Sequence, residues 1–123
     1  MKTNFAFLLA VKCVLSSHLF AQIPPSWTVN SNDYAYSMTI TAKANVAYVE
    51  LADDNNVIAA FVNNECRGVV RTNTTVGTTK LGLLVVYSNT SGTEKVYFKI
   101  YSSTPNAVYD VVDSMVFNNG DQI

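Results

Sequence analysis

The stretch Asp53–Arg71, D-D-N-N-V-I-A-A-F-V-N-N-E-C-R-G-V-V-R, leaves the chain few ways to fold. Four turn-forming residues, Asp53 to Asn56, precede an apolar run from Val57 to Val62. Asn63-Asn64-Glu65 interrupts it, and Cys66, Arg67 and Gly68 lead into Val69-Val70. Two β-rich runs on either side of a short polar turn predict a hairpin. The first run is short for a helix and bounded by turn residues, which favours a buried strand.

The rest of the chain has the same texture. Trp27-Thr28-Val29 predicts a short strand and Asn30–Asp33 a turn. Tyr34–Thr41 alternates, with Tyr34, Tyr36, Met38 and Ile40 on one face, as in a half-buried strand. Asn45–Leu51 predicts another strand, and Thr72–Lys80 a polar loop. Leu81–Tyr87 is almost continuously apolar, the pattern of a central strand. Glu94–Tyr101 alternates again, placing Val96, Phe98 and Ile100 inward and Tyr97, Lys99 and Tyr101 outward. Ala107–Val112 and Ser114–Phe117 predict the last strands. Eight to nine short strands with frequent turns and no amphipathic helix predict an all-β fold, an antiparallel β-sandwich.

A chain of 123 residues holds one domain at most. Charged residues make up 14%, with no basic stripe, which argues against disorder and against nucleic-acid binding. Residues 1–21 read as a secretory signal peptide: Lys2 is the basic start, Phe5–Val11 the apolar centre, and Leu19-Phe20-Ala21 before Gln22 the cleavage site. Residues 22–26 then form an extended lead-in, and 27–123 the sandwich domain. No apolar run reaches the roughly 18 residues of a membrane-spanning helix. Removing the leader takes away Lys2 and Lys12, leaving six basic and nine acidic residues, a formal charge of −3. It also removes Cys13 and His18, the only histidine, so Cys66 stands alone.

Without histidine, a Ser-His-Asp triad, a Cys-His pair and His-based zinc sites are excluded, and the expected class is not an enzyme. Cys66 reads as a small buried hydrophobe, or as a thiol that pairs with a partner. Asp53, Asp54 and Asn56, with loop carbonyls, offer the oxygen ligands that Ca²⁺ takes; the plain reading of the same residues is a solvated turn. Arg67 can fork onto a carboxylate such as Glu65 or Asp54, or bind an anionic ligand. Trp27, Tyr34, Tyr97 and Tyr101 are candidates for a sugar-stacking surface or for ordinary packing. Tyr97 and Tyr101, beside Lys99 on the outward face, are the better ligand candidates.

Several motifs in order carry a resemblance. Trp27, Tyr34-Ala35-Tyr36-Ser37-Met38, the I-A-A-F-V-N-N-E-C-R-G-V-V hairpin from Ile58, Val96–Tyr101 and Val108-Tyr109-Asp110-Val111 together resemble a repeated β-sandwich domain of Bacteroidota. The domain occurs in secreted and cell-surface proteins that are adhesin-like and often type IX-secreted. The match runs from about Trp27 onward and implies a secreted or cell-surface location. It also implies a non-catalytic binding or adhesion role, toward a glycan or another cell-surface protein. The alternative is a carbohydrate-binding module that serves polysaccharide degradation. In that family an Asp often precedes the I-x-A-F run, where this chain has Asn56, which removes one charge from the Ca²⁺ reading. The family pattern also continues beyond F-x-N-x-G into one more strand. On that pattern the sandwich lacks its last strand, and the open edge strand invites self-association.

Overall fold

A computed structural model of the chain describes residues 25–123. The signal-peptide reading of 1–21 lies outside the described residues. The nine strands are β1 (Tyr36–Ala42), β2 (Asn45–Val46), β3 (Val49–Glu50), β4 (Val57–Val62), β5 (Glu65–Arg71), β6 (Thr74–Val76), β7 (Thr79–Ser88), β8 (Lys95–Ser102) and β9 (Ala107–Val116). Two antiparallel sheets, β1-β7-β6 and β5-β4-β8-β9, face each other, and β2-β3 is a small separate hairpin. The fold is the all-β sandwich that the alternating sequence dictates.

Every second residue points into the space between the sheets. Met38 and Ile40 of β1, Leu84 and Val86 of β7, Ile58, Ala60 and Val62 of β4, and Val96, Phe98 and Ile100 of β8 form the core together with Phe117. All are nearly inaccessible to solvent, so burial of this apolar surface is the main term holding the sheets together.

Two glycines close one side of the sandwich. A Cβ on Gly68 of β5 would fall 2.2 Å from the Val85 carbonyl oxygen of β7, and one on Gly82 of β7 would fall 2.9 Å from a Val70 methyl. Only residues without a side chain let β5 and β7 come this close.

Several boundaries differ from the sequence reading. Residues 27–29 do not pair as a strand; instead Trp27 sets its ring edge-on to Phe61, centroids 5.6 Å apart. The expected strand over 45–51 is a tight hairpin, with Ala47 and Tyr48 in left-handed conformation (φ 53° and 67°). The polar loop over 72–80 contains β6, which pairs with the start of β7 around Gly77. The last two strands are one, β9, which bulges opposite Phe98. The β4–β5 turn is Asn63-Asn64 alone, both left-handed, because Glu65 already pairs with Val62.

The edge of β1 away from β7 is covered by the C-terminal residues. Residues 120–123 run along it in parallel. Gly120 N–H donates to the Ser37 carbonyl, Thr39 N–H to Asp121, Ile123 N–H to Thr39, and Thr41 N–H to Ile123. One of the two outer strands of the four-stranded sheet, β9, carries Asp110, Asp113 and a bulge, all features that discourage edge-to-edge pairing.

Candidate functional site

The E-C-R-G motif is a clasp between the sheets. The pairing of β4 with β5 shifts register between Ala60 and Phe61: Phe61 faces Cys66 and Ala60 faces Gly68, leaving Arg67 as the extra residue of a bulge. A bulge re-aims its extra side chain, and this one turns toward β7. The Arg67 side chain is 10% exposed. Its Nε donates to Glu65 Oε1 (2.7 Å), one terminal nitrogen to Glu94 Oε1 (2.8 Å) and to the Tyr87 carbonyl (3.1 Å), and the other to Glu94 Oε2 (3.3 Å). Tyr34 covers it, the guanidinium carbon 5.0 Å from the ring centroid, and itself stacks on Tyr87.

The guanidinium and the Ser88 hydroxyl hold the Glu94 carboxyl below the usual glutamate range. Of the two roles open to Arg67, the geometry fills the structural one: almost all of its donors are taken within the chain. Glu65 is its partner as expected; Asp54 instead pairs with Lys80 at 2.6 Å. Cys66 is half-buried beside the clasp, its thiol toward the Gly68 carbonyl, and burial pushes its pKa up, away from nucleophilic use.

The polar loop before β4 is organised around Asn56, which is buried. Its side-chain amide donates to the Asp53 carbonyl, its Oδ1 accepts from Ser103 N–H, and its main-chain carbonyl accepts from Thr72 N–H. Asp53 Oδ1 accepts from Asn55 N–H, which lowers its pKa. Of the three candidate Ca²⁺ ligands, Asn56 and Asp53 are thus bonded to one another and to Ser103, while Asp54 turns to Lys80. Among the described residues no group of three or more acidic, Cys or His side chains converges as a metal site.

The outward candidates divide. Tyr101 is 4% exposed, with its hydroxyl donating to Asn106 Oδ1 at 2.6 Å, so it cannot present a ring to a ligand. Tyr97 is 49% exposed. On the outer face of the four-stranded sheet the register aligns Phe61 with Tyr97 and Ser114 in one row, and Ala59 with Lys99 and Asp110 in the next. Lys99 Nζ and Asp110 Oδ1 are 2.6 Å apart. Between the rows lies a depression of about 220 Å³ lined by Phe61, Asn64, Tyr97, Lys99, Asp110 and Val111. A second, apolar opening of about 60 Å³ between Lys43 and Met115 leads into the core.

The structure therefore keeps Tyr97 and Lys99 together and separates them from Arg67 and Tyr101. It adds Phe61, Asn64 and Asp110, which sequence reasoning did not select. Asp110 has a legible signal: it is the first acidic residue reached when β9 is folded back against Lys99. No family model, curated protein or solved structure matches the chain.

Proposed function

We propose that the chain is a non-catalytic extracellular binding module of the adhesion type, with the outer face of β4, β8 and β9 as its ligand face. One observation carries the reading: a half-exposed aromatic ring, Tyr97, stands beside the Lys99–Asp110 pair in a depression at the β9 bulge, flanked by the paired strands β4 and β8. Sites on paired strands hold their groups more rigidly than sites on loops. The chemistry available elsewhere supports binding over catalysis. The Arg67 clasp is satisfied internally, the thiol pKa is raised, and the only histidine falls in the leader-like segment. That segment supports export, with a mature N-terminus at or near Gln22.

The test is adhesion of beads carrying the purified chain to surfaces coated with a panel of polysaccharides and cell-surface proteins. Adhesion to at least one surface, lowered about tenfold by Tyr97→Ala with the melting temperature unchanged, is the expected result; one lost aromatic contact corresponds to that factor. No adhesion to any surface, or adhesion indifferent to Tyr97→Ala, would overturn the reading.

A further inference from the structure

We infer that the depression at Tyr97 takes a neutral pyranose sugar, a ligand class that rests on the binding role proposed above. Its charge balance comes first. Lys99 and Asp110 neutralise one another at 2.6 Å, so the residues that line the depression carry no net charge, and a further cation, Lys95, stands at its margin beside the Tyr97 ring. Its walls come second. Its lining includes Phe61, which is buried with the Lys99 ammonium 5.9 Å from its ring centroid, the half-exposed Tyr97, and Val111, which packs against the core. A ligand that fits needs an apolar face and a polar rim at once.

A pyranose has both, an axial C–H face and a ring of hydroxyls. Its C–H face packs on the Tyr97 ring, as apolar groups pack on aromatic faces. Its hydroxyls have partners at the rim. The Asp110 side chain is 77% exposed and retains acceptor capacity beyond its bond to Lys99. The Lys99 ammonium keeps donors that the carboxylate does not use, and the Asn64 amide can both donate and accept. Lys95 Nζ lies 6.0 Å from the Tyr97 centroid, at the outer limit of a cation–π contact, so it holds the ring face only loosely.

Size agrees. About 220 Å³ is below the roughly 300–1,000 Å³ of pockets that enclose drug-sized ligands, and suits one ring of a glycan chain whose neighbours lie on the open sheet. Lys99 and Asp110 then act as a preformed pair, already oriented before the sugar arrives, which lowers the ordering cost of binding.

The experiment is an NMR titration of the full chain with methyl β-glucopyranoside, methyl β-galactopyranoside and methyl α-mannopyranoside. Sorbitol serves as an acyclic polyol without a flat C–H face. At least one glycoside should shift the signals of Tyr97, Lys99 and Asp110, with sorbitol silent. Tyr97→Ala should weaken that binding about tenfold and Tyr97→Phe by less than about twofold, because stacking needs the ring and not the hydroxyl. Glycosides that leave Tyr97 and Asp110 unmoved, or sorbitol shifts equal to theirs, would overturn the inference. If the glycosides are silent while bead adhesion still depends on Tyr97, the sugar assignment falls and the binding face stands. If adhesion also ignores Tyr97→Ala, both fall.

Discussion

Replacing Arg67 by methionine tests the clasp, because it keeps most of the apolar stem and removes the charge. The magnitude follows from what is left behind. Removing one member of a buried ion pair costs about 3–5 kcal/mol, whereas an exposed pair contributes about 0.2–1 kcal/mol. Glu65 is 60% exposed and can return to water, so its share lies at the low end. Glu94 is 23% exposed and the Tyr87 carbonyl loses a donor, so most of the loss arises there. We expect a destabilisation of about 3 kcal/mol, at the lower bound for a buried pair.

For a domain of this size that lowers the melting temperature by about 12–24 °C, at 4–8 °C per kcal/mol. Urea and thermal denaturation of wild type, Arg67→Met, Arg67→Lys and Glu65→Gln provide the assay. Lysine should fall between wild type and methionine, since one ammonium cannot serve two carboxylates and a carbonyl in the fork geometry of arginine. Glu65→Gln should cost less than about 1 kcal/mol.

The pH dependence follows from Glu94, whose folded pKa is depressed chiefly by Arg67. Such a carboxyl adds stability that is complete above its unfolded pKa, about 4.3, and is lost as the pH falls through the folded value. The stability gap between wild type and Glu94→Gln is therefore present at neutral pH and closes in acid. Arg67→Met within about 0.5 kcal/mol of wild type, the scatter of neutral surface changes, would refute the clasp. So would a Glu94→Gln gap that does not change with pH.

Gly68→Ala should destabilise by at least about 1–3 kcal/mol in urea melts, the range for overpacking, because the new methyl meets main-chain atoms that cannot swing aside. Replacing Ala47-Tyr48 by Asn-Gly should raise stability by about 1 kcal/mol, since both positions are left-handed and this pair suits such a turn. Melting curves with and without EDTA should coincide, as Asn56 is satisfied by Asp53 and Ser103 and Asp54 by Lys80; a Ca²⁺-dependent rise abolished by Asp54→Ala would reverse that expectation.

The β4–β5 hairpin is legible because two apolar runs flank a polar turn, although Glu65, read as part of that turn, already pairs with Val62. What a single sequence withheld was coverage. Strict alternation places Tyr97 and Tyr101 on one face, yet one is half-exposed and the other is buried under its own neighbours. The apolar run over 81–87 reads as a central strand, and β7 does lie between β1 and β6, but the run does not show that Leu83 on its outer face is 61% exposed, with no second layer over it among the described residues. The Thr-rich stretch before it hid β6, since threonine suits both turns and strands. The pairing of Lys99 with Asp110 depends on the β9 bulge, and a two-residue irregularity moves every cross-strand partner beyond it.

The parallel seating of residues 120–123 on β1 bears on how the chain acquires its fold. Ser37 N–H donates to Asn119 Oδ1 across 82 residues of sequence, and the main-chain bonds beside it span comparable distances. Contacts this remote close late and slow the search for the native state. During synthesis at about 5–20 residues per second, β1 emerges several seconds before the segment that shields its outer edge. For that interval the strand Tyr36–Ala42 presents an unmatched row of amides to any extended chain nearby, a vulnerability to aggregation that ends when residues 120–123 take their place.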